Sequence, residues 1–169
     1  IDFHPADILE DADGSLLLLD TGGWLSWGCP HSKLAKPEVK GAVYRIRRKG
    51  GAVTDDPLGG KINWSKMTNS SLAGLLDDAR PKVRDRAGEL LIKRGGNADT
   101  AVVAAFEDTA SPQVRRRQLR ALSRISSNTA LTMLRAALAD GDAGVRQLAA
   151  RSLGILKDKG AGVLLMGLL

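Results

Sequence analysis

Several residue types are scarce in this chain of 169 residues, and each scarcity excludes a class of protein. A single cysteine, Cys29, excludes an internal disulfide and any multi-cysteine metal or iron–sulfur cluster. The two histidines, His4 and His31, do not lie in a serine or cysteine nucleophile motif, so we expect no catalysis by this segment itself. Aromatic residues make up 4% of the chain, which suits small helices packed through Leu, Ala and Val better than a large β core.

Long apolar runs are missing as well. The longest, Ala161–Leu169, is about half of the roughly 18 residues that a membrane helix needs. The first ten residues include Asp2, Asp7 and Glu10, so they do not have the form of a signal peptide. The chain starts at Ile1 and not at methionine, which predicts a piece of a longer protein or a processed product.

Charge is divided unevenly along the chain. Residues 1–60 hold 7 Lys and Arg against 9 Asp and Glu, a net −2, whereas residues 61–169 hold 18 against 10, a net +8. A basic second part indicates an acidic partner, nucleic acid or a solvated charged face, of which the last is the most common.

The second part of the chain contains a repeat, whose clearest mark is a recurring Val-Arg pair. The pairs are Val83-Arg84, Val114-Arg115 and Val145-Arg146, in two steps of 31 residues. A fixed period of about 20–50 residues is typical of stacked-repeat proteins. We expect each valine to pack on the inner face of a helix and each arginine to be an inter-repeat strut, paired with aspartates or helix carbonyls of a neighbouring copy.

Other apolar positions repeat at the same step. Leucines stand eight residues after each valine, and apolar residues stand eleven and eight residues before it. These positions are Leu91, Leu122 and Leu153, then Leu72, Val103 and Leu134, then Leu75, Phe106 and Ala137. Extending the frame places Leu165 and Leu168 on the first helix of a fourth, incomplete copy. Each copy is therefore predicted to be a helical hairpin that buries its apolar stripe by stacking on its neighbours.

Residues 1–50 have a strand-like pattern instead. Strands are predicted at 6–10, 15–20 and 42–47, with a hairpin turn at 11–14 between the first two. Four consecutive leucines, residues 16–19, predict a strand buried on both faces. Three strands cannot cover their own faces, because isolated hairpins are marginal in water.

The predicted fold is mainly α: a helical solenoid preceded by a small antiparallel β segment. The β segment is placed at 1–50, a linker at 51–70, and three hairpins with a truncated fourth at 71–169. Helices are predicted over residues 71–78, 82–94, 100–108 and 112–125, with Asn69 or Ser70 capping the first. A proline before the second helix, Val-Arg in its first turn and Asp77-Asp78 or Asp108 ahead of it resemble the short form of the HEAT repeat.

The order of parts carries a wider resemblance. The segments are DILEDADGSLLLLDTGGW, CPHSKLAKPEVKGAVYRIRRKG and NWSKMTNSSLAGLLDDARPKVRDRAGELLIKRG. Together they resemble a bacterial family of membrane-bound dehydrogenase-like proteins. In that family a β-propeller, similar to sorbosone and soluble glucose dehydrogenases, precedes HEAT repeats and often a c-type haem domain.

This resemblance implies that residues 1–50 are the last propeller blade of a dehydrogenase-like parent. It implies pyrroloquinoline quinone and c-type haem as cofactors of that parent, although this chain lacks the haem motif Cys-x-x-Cys-His. It also implies export, to the periplasm or to a membrane held by other parts of the parent. The repeats would then be a spacer or a docking surface for a protein partner or for neighbouring domains. The alternatives are a protein-binding scaffold with no redox role and, third, a basic solenoid that binds nucleic acid.

Arg116, Arg120 and Arg124 form the candidate interaction surface. They are four residues apart, so they line one face of a helix, and by helical angle that face points to solvent. A basic face of this kind can contact phosphates, but no base-reading feature accompanies it. Nucleic acid is therefore the less favoured partner.

Other candidate sites have simpler explanations. Cys29 and His31 are two potential ligands without further partners, so a loop cysteine beside a surface histidine explains them better than a metal or haem site. Asp11 and Asp13 resemble the start of a calcium loop, but Gly22 stands where that loop needs a bidentate glutamate. A hairpin turn is favoured there.

Three further residues have weaker indications. His4 lies just before the first strand, near where a blade loop would face a cofactor pocket. Trp24 is expected to seal the blade, and Trp64 to cover the apolar end of the first repeat. Trp27 is the remaining aromatic that would mark a ligand surface.

Overall fold

The computed structural model describes residues 3–23, 39–50 and 54–167. The chain divides into two compact units, Ile1–Pro57 and Leu58–Leu169. In the described part of the chain, each helix is too short or too polar to cross a bilayer.

The first unit holds a three-stranded antiparallel sheet in the order β1-β2-β3. The strands are β1 (Pro5–Glu10), β2 (Leu16–Asp20) and β3 (Ala42–Ile46). The turn between β1 and β2 ends at Gly14, whose φ of 79° favours glycine. The Gly14 amide donates to the Asp11 carbonyl at 2.9 Å, which closes the predicted hairpin turn.

The four leucines of β2 are not buried on both faces in this chain, contrary to the sequence prediction. Leu16 and Leu19 are exposed, and Leu17 and Leu18 are half-buried. The neighbouring strands are exposed too, including Ile8, Leu9, Val43, Tyr44 and Ile46. The physical reason is that three strands supply too few side chains to cover a sheet from both sides.

The second unit is a solenoid of helical hairpins. Their first helices are α1 (Asn69–Gly74), α3 (Asp99–Asp108) and α5 (Asn128–Ala136); their second helices are α2 (Pro81–Arg94), α4 (Pro112–Ile125) and α6 (Ala143–Ile155). A short helix, α7 (Gly162–Met166), follows and contains the predicted position Leu165, whereas Leu168 lies outside the described residues. The second helices begin 31 residues apart, so the period of the sequence is the period of the fold.

The second helices begin and end on residues that the sequence singled out. Pro81 and Pro112 are the first residues of α2 and α4, where a missing amide hydrogen costs nothing. Asp142 caps α6 by accepting the Val145 amide at 2.9 Å. Gly95 ends α2 with a φ of 63°, as the glycine pair predicted.

The first helix of the solenoid is capped by Thr68, not by Asn69 or Ser70. The Thr68 hydroxyl accepts the Ser71 amide at 3.1 Å, so Asn69 and Ser70 lie inside the helix. The helix also runs only to Gly74, and a 3-10 turn, Leu75–Asp77, completes the predicted segment. Similar 3-10 turns lie at Gly95–Asn97, Ala137–Ala139 and Lys159–Ala161.

Trp64 closes the beginning of the solenoid. Residues 58–68 were placed in the predicted linker, but they belong to the second unit and include a 3-10 turn at Trp64–Lys66. The indole nitrogen donates to the Gly59 carbonyl at 2.8 Å, and the Arg86 guanidinium lies 4.6 Å from the centre of the ring. The ring packs against the core cluster of the repeats.

Candidate functional site

The repeated valines and leucines form the core of the solenoid. Val83, Val114 and Val145 are buried, as are Leu91, Leu122 and Leu153. Of the apolar positions that precede the valine, Leu72, Leu134, Phe106 and Ala137 are buried, and Val103 and Leu75 are half-buried. In the second copy, Val102 is the fully buried residue instead of Val103. The first helices therefore keep the period less strictly than the second helices.

The recurring arginines bond mainly within their own repeat. Each Nη1 donates to the two successive carbonyls of the loop before its helix. The acceptors are Asp78 and Ala79 for Arg84, Thr109 and Ala110 for Arg115, and Asp140 and Gly141 for Arg146, at 2.8–3.1 Å. The expected neighbouring copy is not the common partner, because the loop of the same hairpin is closer. The arginine closes the carbonyls that the end of the first helix leaves unpaired.

Arg115 alone among these three also reaches the next repeat in the described hydrogen bonds. Its Nη2 lies 3.0 Å from Asp140 Oδ1, and its Nε lies 2.9 Å from Asp140 Oδ2. Both side chains are largely buried, at 17% and 10% exposed, so the pair is more stabilising than a surface ion pair.

We expect Arg115→Ala to lower the free energy of unfolding by about 1–3 kcal/mol, because it removes two capped carbonyls and leaves Asp140 without its cation. Arg146→Ala should cost less, since it removes the same loop contacts without an inter-repeat pair. Urea unfolding of the two variants measures the difference. Equal losses would show that the contact with Asp140 contributes nothing.

A cavity of about 510 Å³ lies between α4 and α6, and arginines line it. We call it the arginine groove. Its lining is Gln113, Arg116, Arg117, Arg120, Gly144, Gln147, Leu148 and Arg151, with no carboxylate among them. The sequence placed Arg116 and Arg120 on a solvent-facing surface; the structure places them in this groove.

The charges of the arginine groove are poorly compensated. Arg116 Nη1 lies 3.7 Å from Asp142, and Arg117 Nη1 lies 3.9 Å from Asp77, both loose contacts. Burial lowers the pKa of Arg117, and the like charges of Arg84 and Arg120 lower it further. An anion in the groove would relieve that repulsion.

A second cavity, of about 360 Å³, lies between α2 and α4 and has mixed charge. Arg117, Arg120 and Arg124 face Asp85 and Glu89 across it. The acidic pair occupies the α2 positions that correspond to Arg116 and Arg120 on α4. The charge of the second helices thus changes from acidic to basic along the solenoid.

Sequence reasoning missed Arg117 and Arg151. A search for residues four apart found one stripe on α4, whereas the groove is made by two neighbouring helices. A signal was present, since Arg151 stands 31 residues after Arg120. Applying the repeat period to polar positions as well as apolar ones would have paired them.

The acidic turn of the sheet is held by arginines of β3. Asp13 accepts the Ser15 amide and hydroxyl at 3.0 and 2.5 Å, and the Ser15 hydrogen bond lowers the pKa of Asp13 to about 2. Arg45 lies 2.6 Å from Asp11, and Arg47 lies 3.0 Å from Asp13. No group of three or more metal-ligating side chains occurs within the described residues.

The remaining candidates have little structural support or lie outside the described residues. His4 is exposed, and its backbone amide donates to Asp20 Oδ1 at 3.0 Å. Cys29, His31, Trp24 and Trp27 fall within residues 24–38, which the structure does not describe.

Comparison with known proteins gives the family. The sequence profile for HEAT repeats matches residues 68–154 and 98–169, which include all seven helices described above except the final residues of the chain's own β segment. The chain belongs to the HEAT repeat family. The hairpins α1–α2, α3–α4 and α5–α6 are its HEAT repeats, and the arginine groove lies between the second helices of the last two.

Other comparisons add little to this HEAT assignment. The chain is similar to a chain in the complex of CpcE and CpcF of phycocyanin lyase from Nostoc sp. PCC7120, with 30% identity and a TM-score of 0.48. The match covers 70% of this chain and 47% of that one, so this chain spans about half the length of that relative. No curated protein matches.

Proposed function

We propose that this chain is a non-catalytic HEAT module that binds a short acidic segment of a protein partner in the arginine groove. The observation that carries the proposal is the lining of that groove by four guanidinium groups without a carboxylate. Arginine pairs with carboxylates through two parallel hydrogen bonds, which gives geometric specificity as well as attraction. Leu148 adds an apolar contact for the partner's backbone or side chains.

A protein segment fits the surface better than nucleic acid does. A phosphate chain that crossed all three second helices would meet Asp85 and Glu89 in the mixed cavity beside the arginine groove. A short acidic peptide can remain between α4 and α6. Neither cavity is lined by an aromatic side chain on which a base could stack.

The direct test is fluorescence polarisation with a labelled glutamate-rich peptide. We expect Arg116→Glu, Arg120→Glu and Arg151→Glu together to weaken binding by roughly tenfold or more, because charge-assisted contacts are replaced by repulsion. The matched control is Lys82→Glu, Lys93→Glu and Lys159→Glu, which changes the net charge equally at exposed positions outside both cavities. Equal weakening in both variants would refute the groove as the site.

The nucleic-acid alternative has its own readout. Retention on heparin that collapses when Arg116, Arg120 and Arg124 become Glu, together with oligonucleotide binding tighter than peptide binding, would replace the protein proposal by the nucleic-acid one. Phosphate contacts would also make affinity fall steeply with salt. Unchanged elution of that variant would remove nucleic acid as a partner.

We further propose that the module belongs to a propeller-containing, dehydrogenase-like parent that is exported. The motif order of the sequence supports this, and so does an antiparallel sheet whose apolar side chains are exposed on both faces. Pyrroloquinoline quinone and c-type haem would belong to other parts of that parent. Its full reading frame is the test: further blades with the Asp-x-Asp-Gly turn upstream and Cys-x-x-Cys-His downstream are expected. A frame with repeats alone would remove the redox role and leave the HEAT module.

A further inference from the structure

Gln118 breaks the pattern of the repeat at a core position. It stands four residues after Val114, where the other two copies have Ala87 and Ala149. All three side chains are buried, and Gln118 is 2% exposed. A polar amide in a column of buried alanines is unfavourable for folding unless its hydrogen bonds are satisfied. This position therefore differs from its equivalents for a reason that the packing of the repeat does not supply.

The amide of Gln118 is not fully satisfied by the protein. Its Oε1 is buried and has no hydrogen-bond donor within the described residues. A buried acceptor without a donor costs about 1–3 kcal/mol. Gln118 lines a cavity of about 300 Å³ that opens between α1, α3 and α4, on a different face from the arginine groove.

The lining of this cavity is suited to a cation on an aliphatic stem. Ala73, Ala105 and Val114 supply small apolar contacts, and Asp77 and Asp108 supply carboxylates. Ala105 and Asp108 belong to the last turn of α3, where the helix dipole favours positive charge.

The protein's own cations do not occupy the carboxylates. Arg117 is the closest to Asp77, at 3.9 Å, and the Asp77 side chain remains 67% exposed. Arg115 is engaged with the Thr109 and Ala110 carbonyls and with Asp140. Neither arginine donates to Gln118 Oε1.

We propose that this cavity binds a primary ammonium on an aliphatic stem, such as a lysine side chain of a partner or a free alkylamine. The ammonium donates to Gln118 Oε1 and pairs with Asp77 and Asp108, and the stem lies on the alanines. An ammonium fits this set because it carries three donors and no acceptor. The site is independent of the arginine groove and of the partner proposed for it.

The test is a titration of the full ¹⁵N-labelled chain, followed by NMR, with n-butylammonium chloride at millimolar concentration. We expect saturable shifts of the Gln118 side-chain amide and of the backbone amides of Ala105 and Val114. Tetramethylammonium chloride, which has the same charge but no hydrogen to donate, should bind at least about tenfold more weakly. Acetyl-lysine methylamide distinguishes the sources: tighter binding than butylammonium favours a partner's lysine, and equal binding favours a free amine.

The decisive variant is Gln118→Ala, which gives the second repeat the residue of the other two. It should keep a cooperative thermal unfolding transition, because the alanine fits this position in the other copies, and it should lose the butylammonium shifts. Asp77→Asn with Asp108→Asn, both at exposed positions, should weaken binding several-fold without unfolding the chain.

Three results would overturn the proposal. The first is the absence of saturable shifts with butylammonium. The second is equal binding of tetramethylammonium, which would mean non-specific attraction to the carboxylates. The third is a shift of the Gln118 amide by sodium acetate instead, since an anion would bind only if the amide nitrogen faced the cavity. Undiminished binding by Gln118→Ala would remove Gln118 from the site.

Discussion

Replacing Leu122 by alanine is expected to lower the free energy of unfolding by about 2–5 kcal/mol. Leu122 is fully buried in α4, the second helix of the middle repeat. The substitution removes apolar surface from the core and leaves a cavity that the surrounding helices fill only in part. A loss of this size is a large fraction of the roughly 5–15 kcal/mol that stabilises a typical domain.

The position in the array makes this loss larger than it would be at an end. α4 contacts both α2 and α6, so a defect in it weakens two interfaces between repeats. Denaturant unfolding of the whole chain, followed by circular dichroism, measures the change. The matched control is Ile155→Ala, which shortens an aliphatic side chain that is 70% exposed and should change the stability little. A near-zero effect of Leu122→Ala would break the alignment of the repeats.

Asp99→Ala is expected to lower the free energy of unfolding by about 2–3 kcal/mol. Asp99 is 5% exposed and begins α3. Its Oδ1 accepts the Thr100 amide at 2.5 Å, and its Oδ2 accepts the Ser127 hydroxyl at 2.6 Å. Ser127 in turn caps α5 by accepting the Ala130 amide at 3.0 Å. One carboxylate therefore joins the starts of two first helices.

The same hydrogen bonds make the stability depend on pH. The bond from Ser127 lowers the pKa of Asp99 below its ordinary value of 3.8, and bonds from Thr100 act in the same direction. Because the folded pKa is the lower one, the stabilisation is fully present above the unfolded pKa. It is lost as the pH falls through the folded pKa. Wild-type stability should therefore decline below about pH 4.

Asp99→Asn separates this contribution from those of other carboxylates. The amide keeps an acceptor for Ser127 but does not titrate, so the variant should lose less stability than wild type between pH 4 and acid. Glu107→Ala, an exposed change on the same helix, is the control and should leave the pH profile unchanged. Identical profiles for wild type and Asp99→Asn would mean that the hydrogen bonds of Asp99 do not depend on its charge.

The second helices were the most predictable part of the fold. Pro81 and Pro112 mark their beginnings, and the apolar positions from Val114 to Leu122 recur in each copy. These features are local, since they follow from helix termination and from the face that a helix must bury. The first helices were less predictable, because Thr68 competes with Asn69 and Ser70 as a cap and the sequence does not rank them.

The partners of the arginines could not be read from spacing. The period indicated that Arg84, Arg115 and Arg146 share a role, and all three do bond two loop carbonyls. It did not indicate that those carbonyls lie in the same repeat, because that depends on how tightly each hairpin turns. Only Arg115 gains an aspartate of the next copy, since Asp140 is carried there by the stacking of α4 on α6.

The sequence by itself determined the number of repeats, their step of 31 residues and the residues that form their core, because burial of an apolar stripe is written in its period. The tertiary structure alone decided where the polar residues meet. Arg151 joins Arg120 in one groove and Gln118 faces Asp77 in another cavity because stacking brings together helices that lie far apart in the sequence. Charges and amides on an accessible face have no periodicity that folding requires, so their grouping appears only once the repeats are packed.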